Sequence, residues 1–208
     1  MHSTVSTILL VLVALAVSTV ARPVKPDFCG SVDCPSYTVL KHELGYELRS
    51  YAKGKWATVT LEDSTYSDAL GVCFDKLFDY IEGSNVEKRK IPMTAPVLGK
   101  VSTAAESFAS TGDFEFSFYV PNAAVAPLSG SGISITETPE DFEVYVASFG
   151  GYASTSDWKE AASGLKDRLD AAGASYDGSH YFTAGYDSPF HFFHRHNEVW
   201  IVKEEKSV

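Results

Sequence analysis

The chain reads as α+β: a distorted, mostly antiparallel β-barrel built from two pseudo-repeats (β-hairpin, helix, strands) with two flanking α-helices. Two observations predict this. A unit of two strand-like runs, a helical stretch and two closing strands occurs twice, and both helical stretches carry apolar residues at three- and four-residue steps. In the first unit, residues 46–51 and 55–61 flank Ala52-Lys53-Gly54, a helix is expected over 65–82, and strands over 96–101 and 114–120 close it. In the second, residues 133–138 and 142–149 flank Pro139-Glu140-Asp141, followed by a helix over 155–172 and strands over 180–186 and 198–203. Trp56 and Phe142 hold equivalent places. Two such halves side by side give a sheet that curls, with both helices outside it.

The helices are signed at both ends. Thr65 and Asp68 have capping-box spacing, then Leu70, Phe74, Leu77, Phe78 and Ile81 form a broad apolar stripe that stops before Gly83. The second helix starts in Ser154-Thr155-Ser156-Asp157 and presents Trp158, Ala161, Ala162, Leu165, Leu169 and Ala172 before Gly173. That face is narrower and made of smaller residues, so it should cover the sheet closely and leave little room for a ligand. Residues 103–112 and 122–132 read as exposed loop from their Ala/Ser/Gly/Pro content.

Domain organisation follows from length and cysteine placement. Residues 1–21 are expected to be a signal peptide: residues 8–17 are an apolar run, too short to span a bilayer, and Thr19-Val20-Ala21 offers small residues for cleavage. Only His2 precedes the run, so an uncleaved anchor is the competing reading. Export would make the product secreted and extracellular and would oxidise Cys29 and Cys34, which sit in a separate segment, residues 22–36; pairing is expected, free surface thiols being the alternative. Cys73 falls in the first helix as a small buried hydrophobe. One domain, residues 37–204, remains, and a chain of this size needs neither disulfide nor metal to hold a core. The formal charge of −10 repels nucleic acid and anionic membrane. The expected product is a monomer with no nucleic-acid partner and, after signal removal, no membrane contact.

Residues 90–97 (KIPMTAPV), 181–200 (YFTAGYDSPFHFFHRHNEVW), 46–56 (YELRSYAKGKW) and 142–152 (FEVYVASFGGY) are too idiosyncratic for generic strand and turn. Together and in this order they resemble the SOUL/haem-binding protein family over residues 37–203. The resemblance implies non-catalytic binding of haem or a related tetrapyrrole in a groove on a distorted barrel, here as an extracellular carrier or scavenger.

Such a site needs a flat apolar slot, cations for the propionates and an axial ligand if iron is to be held strongly. Phe74 and Phe78, one turn apart on the first helix, lie on the face where the resemblance puts the pocket; by their spacing alone they are a core stripe. Basic positions of haem-binding relatives align with Gly71, Asp79 and His191, all without fixed positive charge, and Arg195 or Lys88-Arg89-Lys90 are the replacements available. The proposed axial histidine aligns with Ser50, whose hydroxyl is no substitute. His191, His194 and His196 can be exposed loop residues, a haem contact or a metal site; His191 is the candidate iron ligand. The expected tetrapyrrole-binding set is thus Phe74, Phe78, His191 and Arg195.

Two other classes stand beside this one. A general apolar-ligand site or a protein-interaction module needs no haem, although residues 165–170 lack the Leu-x-x-x-Gly-Asp pattern proposed for some relatives. A groove hydrolase is the remote alternative, but the chain has no Gly-x-Ser-x-Gly, no His-Glu-x-x-His and no Gly-rich phosphate loop.

Overall fold

The computed structural model describes residues 23–103, 112–121 and 125–204; the expected leader over 1–21 and parts of both expected loops lie outside them. Among the described residues nine strands and two α-helices follow one another: β1 (Tyr37–Glu43), β2 (Tyr46–Tyr51), β3 (Gly54–Ser64), α1 (Tyr66–Ile81), β4 (Val97–Ser102), β5 (Gly112–Tyr119), β6 (Ile133–Thr138), β7 (Phe142–Phe149), α2 (Thr155–Ala171), β8 (His180–Gly185) and β9 (Asn197–Val202). All pair antiparallel in one sheet, in the order β1-β2-β7-β9-β8-β4-β5-β3-β6. The end strands β1 and β6 do not meet, so the barrel is an approximation to a curled open sheet. Exchanging β2, β3, β4 and β5 for β6, β7, β8 and β9 reverses that order onto itself, which is the internal duplication seen in the sequence.

One detail differs from the sequence reading. The first two strands of each repeat do not form a hairpin with each other; β2 pairs with β7 (Leu48 opposite Tyr145) and β3 with β6 (Trp56 opposite Thr136). A two-residue hairpin needs a turn with positive φ, usually Asn-Gly or Asp-Gly, and Ala52-Lys53 supplies neither. The chain therefore turns a corner between strands of different neighbourhoods. Strand β1 has no counterpart in the repeat and is an addition at the edge.

Strand alternation gives the sheet two apolar faces. On β9, Val199 and Ile201 point to the helices, and Glu198 and Trp200 to the opposite side. The helix-side core packs Phe114, Phe116 and Phe118 of β5 against Ala69, Cys73 and Leu77 of α1, and includes Leu165 and Leu169 of α2. Each such ring or aliphatic chain, taken fully out of water, contributes about 1.5–3 kcal/mol. Gly99 is required here: a Cβ on it would lie 2.6 Å from the Phe116 ring and 2.7 Å from Thr183 Oγ1.

Both helices are capped as their sequences demand. Thr65 accepts from the Asp68 amide, and Ser154 and Asp157 make a reciprocal capping box. Cys29 and Cys34 are joined by a disulfide, and Cys73 is buried and free, its thiol pushed up by burial.

Candidate functional site

The helix-side face does not close completely. Between α1, the turn before α2 and strands β4, β5, β8 and β9 runs a groove of about 370 Å³. Its walls are Leu70 and Phe74 of α1, Val97, Phe116 and Trp158; Tyr152 and Pro189 stand at the rim. Phe74 is half-buried and packs edge-on against Phe118, with ring centroids 5.3 Å apart. Gly71 lines the same wall with open space around it, so a side chain there would project without clash.

Polar groups of the groove are mostly committed. Tyr66 shares a 2.7 Å hydrogen bond with Thr183, and burial pushes its phenol well above the usual range, so it stays protonated. Asn197 donates to the Gly151 carbonyl. Arg195 lines the groove, stacks over the Tyr152 ring at 4.2 Å, and donates to the carbonyls of Asp187, Ser188 and His191. Its Nε–H is buried with no protein partner, one of two such buried side-chain atoms among the described residues.

Of the four expected binding residues, the structure brings Phe74 and Arg195 into one groove. Phe78 is outside its lining: it stacks on Phe74 at 5.9 Å but is 42% exposed, because it lies one turn further along a helix that has already passed the groove. It is equally not core. His191 is also outside the lining; its Nδ1 is tied to the Asp187 carboxylate and the ring faces solvent. Nor do the three histidines converge. His194 is exposed at φ 52°, and His196 points into the opposite face, where its Nε2–H donates to the Glu198 carboxylate at 2.7 Å. No metal-ligating cluster occurs among the described residues. Ser50, the position of the proposed axial histidine, sits on β2 and does not line the groove either.

The residues the sequence reading missed are Tyr152, Trp158 and the groove floor of Phe116 and Thr183. Trp158 carried a signal, being the one large ring on an otherwise small helical face. Thr183 carried none, since only the pairing of β8 with β4 brings it beneath α1, and Tyr152 reaches the groove from the turn between β7 and α2.

The opposite face holds the most charged cluster of the interior. Glu198, fully buried, accepts from Arg49 (2.8 Å), Tyr186 (2.8 Å) and Trp200 Nε1 (2.8 Å) as well as bonding His196. Burial pushes the Glu198 carboxyl up, but the His196 bond and the Arg49 charge outweigh it and hold it below the usual carboxylate range. Arg49 is itself sandwiched under Tyr37 at 4.1 Å and bonds Glu47 and Tyr51. Phe28, beside the disulfide, stacks on His196 at 3.7 Å and seals the cluster. Both Glu198 oxygens are fully bonded within the protein, which makes this carboxylate a structural group.

Comparison with known proteins places this architecture. The model of the family described as SOUL heme-binding protein matches residues 32–202. Heme-binding protein 2 of Homo sapiens is 34% identical over 165 residues, covering 77% of this chain and 79% of that one. Heme-binding protein 1 of Mus musculus is 33% identical over 188 residues, covering 86% and 97%. Among solved structures, an uncharacterized conserved protein from Listeria innocua aligns at TM-score 0.54 with 9% identity over 75% of this chain and 90% of its own, a likeness of fold alone. The chain belongs to the SOUL heme-binding protein family.

Proposed function

We propose that the groove between α1 and the sheet binds haem or a related tetrapyrrole without catalysis, holding the ring by its faces and not through the metal. One observation carries this reading: the walls are mainly apolar and aromatic, with Asp75 and Asp187 at their edges, while among the described residues the lining contains no His, Cys or Met and the hydroxyls of Tyr66 and Tyr152 are hydrogen-bonded within the protein. Membership of a family whose relatives are named heme-binding proteins supports the ligand class. The group fits the residues present in two respects. Leu70, Phe74, Val97 and Trp158 would contact a flat ring, and the Arg195 guanidinium, which lines the groove, would supply positive charge near a ligand carboxylate. An iron centre would bring redox and ligand-binding chemistry when bound, but these side chains only bind and orient.

The energetics set the type of complex. Burying roughly 300 Å² of ring at about 25 cal/mol/Å² gives about 7–8 kcal/mol before association costs, so binding is micromolar at best and the ligand exchangeable. That suits cargo better than a prosthetic group. Together with the apolar leader expected over residues 1–21, it supports a secreted carrier or scavenger. The test is a paired titration with haemin and metal-free protoporphyrin IX, followed by Soret absorbance and porphyrin fluorescence. Affinities within about threefold of each other are expected, a difference of only about 0.6 kcal/mol. Tight haemin binding with no protoporphyrin binding would show that iron is ligated by the protein and would overturn the reading.

A further inference from the structure

Three of the most exposed large apolar side chains share one loop. Phe190, Phe192 and Phe193, between β8 and β9, are 83%, 66% and 76% exposed, so the rings stand away from the body. The loop behind them is held firmly. The Arg195 guanidinium donates to the carbonyls of Ser188 (2.6 Å), His191 (2.8 Å) and Asp187 (3.2 Å), Tyr152 donates to the Pro189 carbonyl (3.1 Å), and the His191 amide bonds Ser188 (2.9 Å). Four backbone carbonyls are thus satisfied from inside. Within the tip itself the Phe190 amide and the His191 amide and carbonyl are held this way, so the rings project from an anchored base and only the side chains need to enter an apolar medium, where unpaired backbone groups cost several kcal/mol each.

Charge is segregated in the same place. From Ser188 to Asn197 there is no carboxylate; Asp187 is engaged by His191 and the His196 amide, and Glu198 is buried. The polar side chains left at the tip are His191, His194 and the half-buried Arg195. A carboxylate-free aromatic tip, with Arg195 at its base, on a chain of formal charge −10 suits a surface of zero net charge, while the body is repelled by an anionic one.

We propose that residues 190–193 insert their three phenylalanine rings into a zwitterionic lipid surface, docking the protein with the rim of the groove against the lipid. Pro189, Tyr152 and Arg195 form that rim and belong to the loop or are bonded to it, so docking orients the groove mouth toward molecules dissolved in the bilayer. Aromatic rings favour this boundary, and burying each ring is worth about tenfold in partitioning. The repulsion expected from net charge applies to an anionic surface and leaves a neutral one open. Docking stands independently of the tetrapyrrole reading; the capture of a lipid-dissolved ring rests on it.

The experiment is co-flotation of the protein with phosphatidylcholine vesicles, comparing wild type with the Phe190→Ser/Phe193→Ser double variant, whose substituted rings touch no core. Expected results are flotation of wild type, at least about tenfold less for the double variant, weaker flotation when phosphatidylserine is added, and a blue-shifted emission from a Phe192→Trp variant on vesicle addition. Equal flotation of wild type and double variant would assign binding to another segment and overturn the proposal. So would no flotation of wild type, which would leave the rings to a protein partner, or an emission from the Phe192→Trp variant that vesicles do not shift. Haemin titration of wild type and the double variant without vesicles separates the two readings: equal affinity is expected, and failure of haemin to bind either, with flotation intact, would sink the tetrapyrrole groove and spare the docking.

Discussion

The two faces of the sheet are built from the same materials and used differently. Both carry stacked aromatics, an arginine and carboxylates. On the inner face, Arg49 and Glu198 are buried, mutually bonded and capped by Phe28 over His196, which is how an interior charge pair becomes tolerable. On the helix face, Phe74 and Trp158 are left with a gap between them, and Arg195 serves a loop while one of its donors goes unpaired. The conspicuous charged cluster is structural, and capacity for a ligand lies where packing is incomplete.

The largest effect should come from breaking the inner face. Glu198→Gln removes the partner of a buried guanidinium and should cost about 3–5 kcal/mol in denaturant unfolding, while leaving haemin affinity of the folded protein unchanged. Loss of ligand binding at full stability would reverse the assignment of the two faces. The same carboxylate sets an acid limb. Because its folded pKa lies below the ordinary value of 4.5, the stability it contributes is complete above that value and is lost as pH falls toward the folded pKa. In unfolding curves taken from pH 6 to 2, Glu198→Gln should flatten that part of the decline.

Removing the clasp is a smaller perturbation. Cys29→Ser/Cys34→Ser opens a loop of sequence separation 5 and should cost about 2 kcal/mol in thermal or chemical melts. Smaller still is a gain on the helix face: Gly71→Lys places a cation on the groove wall in open space and should tighten haemin binding by a few-fold, about 0.5–1 kcal/mol, with unchanged stability. Ser50→His, finally, should create no low-spin haem spectrum, because β2 does not reach this groove.

The sequence made the duplication, both helices and most strands legible because those rest on local periodicity and caps. Strand partners were not legible: whether β2 meets β3 or β7 depends on a corner at Ala52-Lys53 that no alternation pattern reports. Which of the four candidate residues line the groove was not legible, for a related reason. Phe74 lies on the apolar stripe of the first helix, and Arg195 in the motif over residues 181–200. Phe78 sits on the same stripe and His191 in the same motif, yet both miss the groove, one by a helical turn and the other by a loop that folds its imidazole back onto Asp187. Thr183 enters the site only through long-range pairing, and Tyr152 from the turn between β7 and α2.

The central claim is that a tetrapyrrole sits against Phe74 with no histidine on its iron. It is tested most directly by Soret titration of haemin into wild type, Phe74→Asp and His191→Ala, with folding checked by thermal melts. The account predicts that Phe74→Asp, a charge on the groove wall, weakens binding at least about tenfold, and that His191→Ala leaves both affinity and spectrum as in wild type. A low-spin, six-coordinate wild-type spectrum abolished by His191→Ala, with Phe74→Asp binding normally, would contradict it.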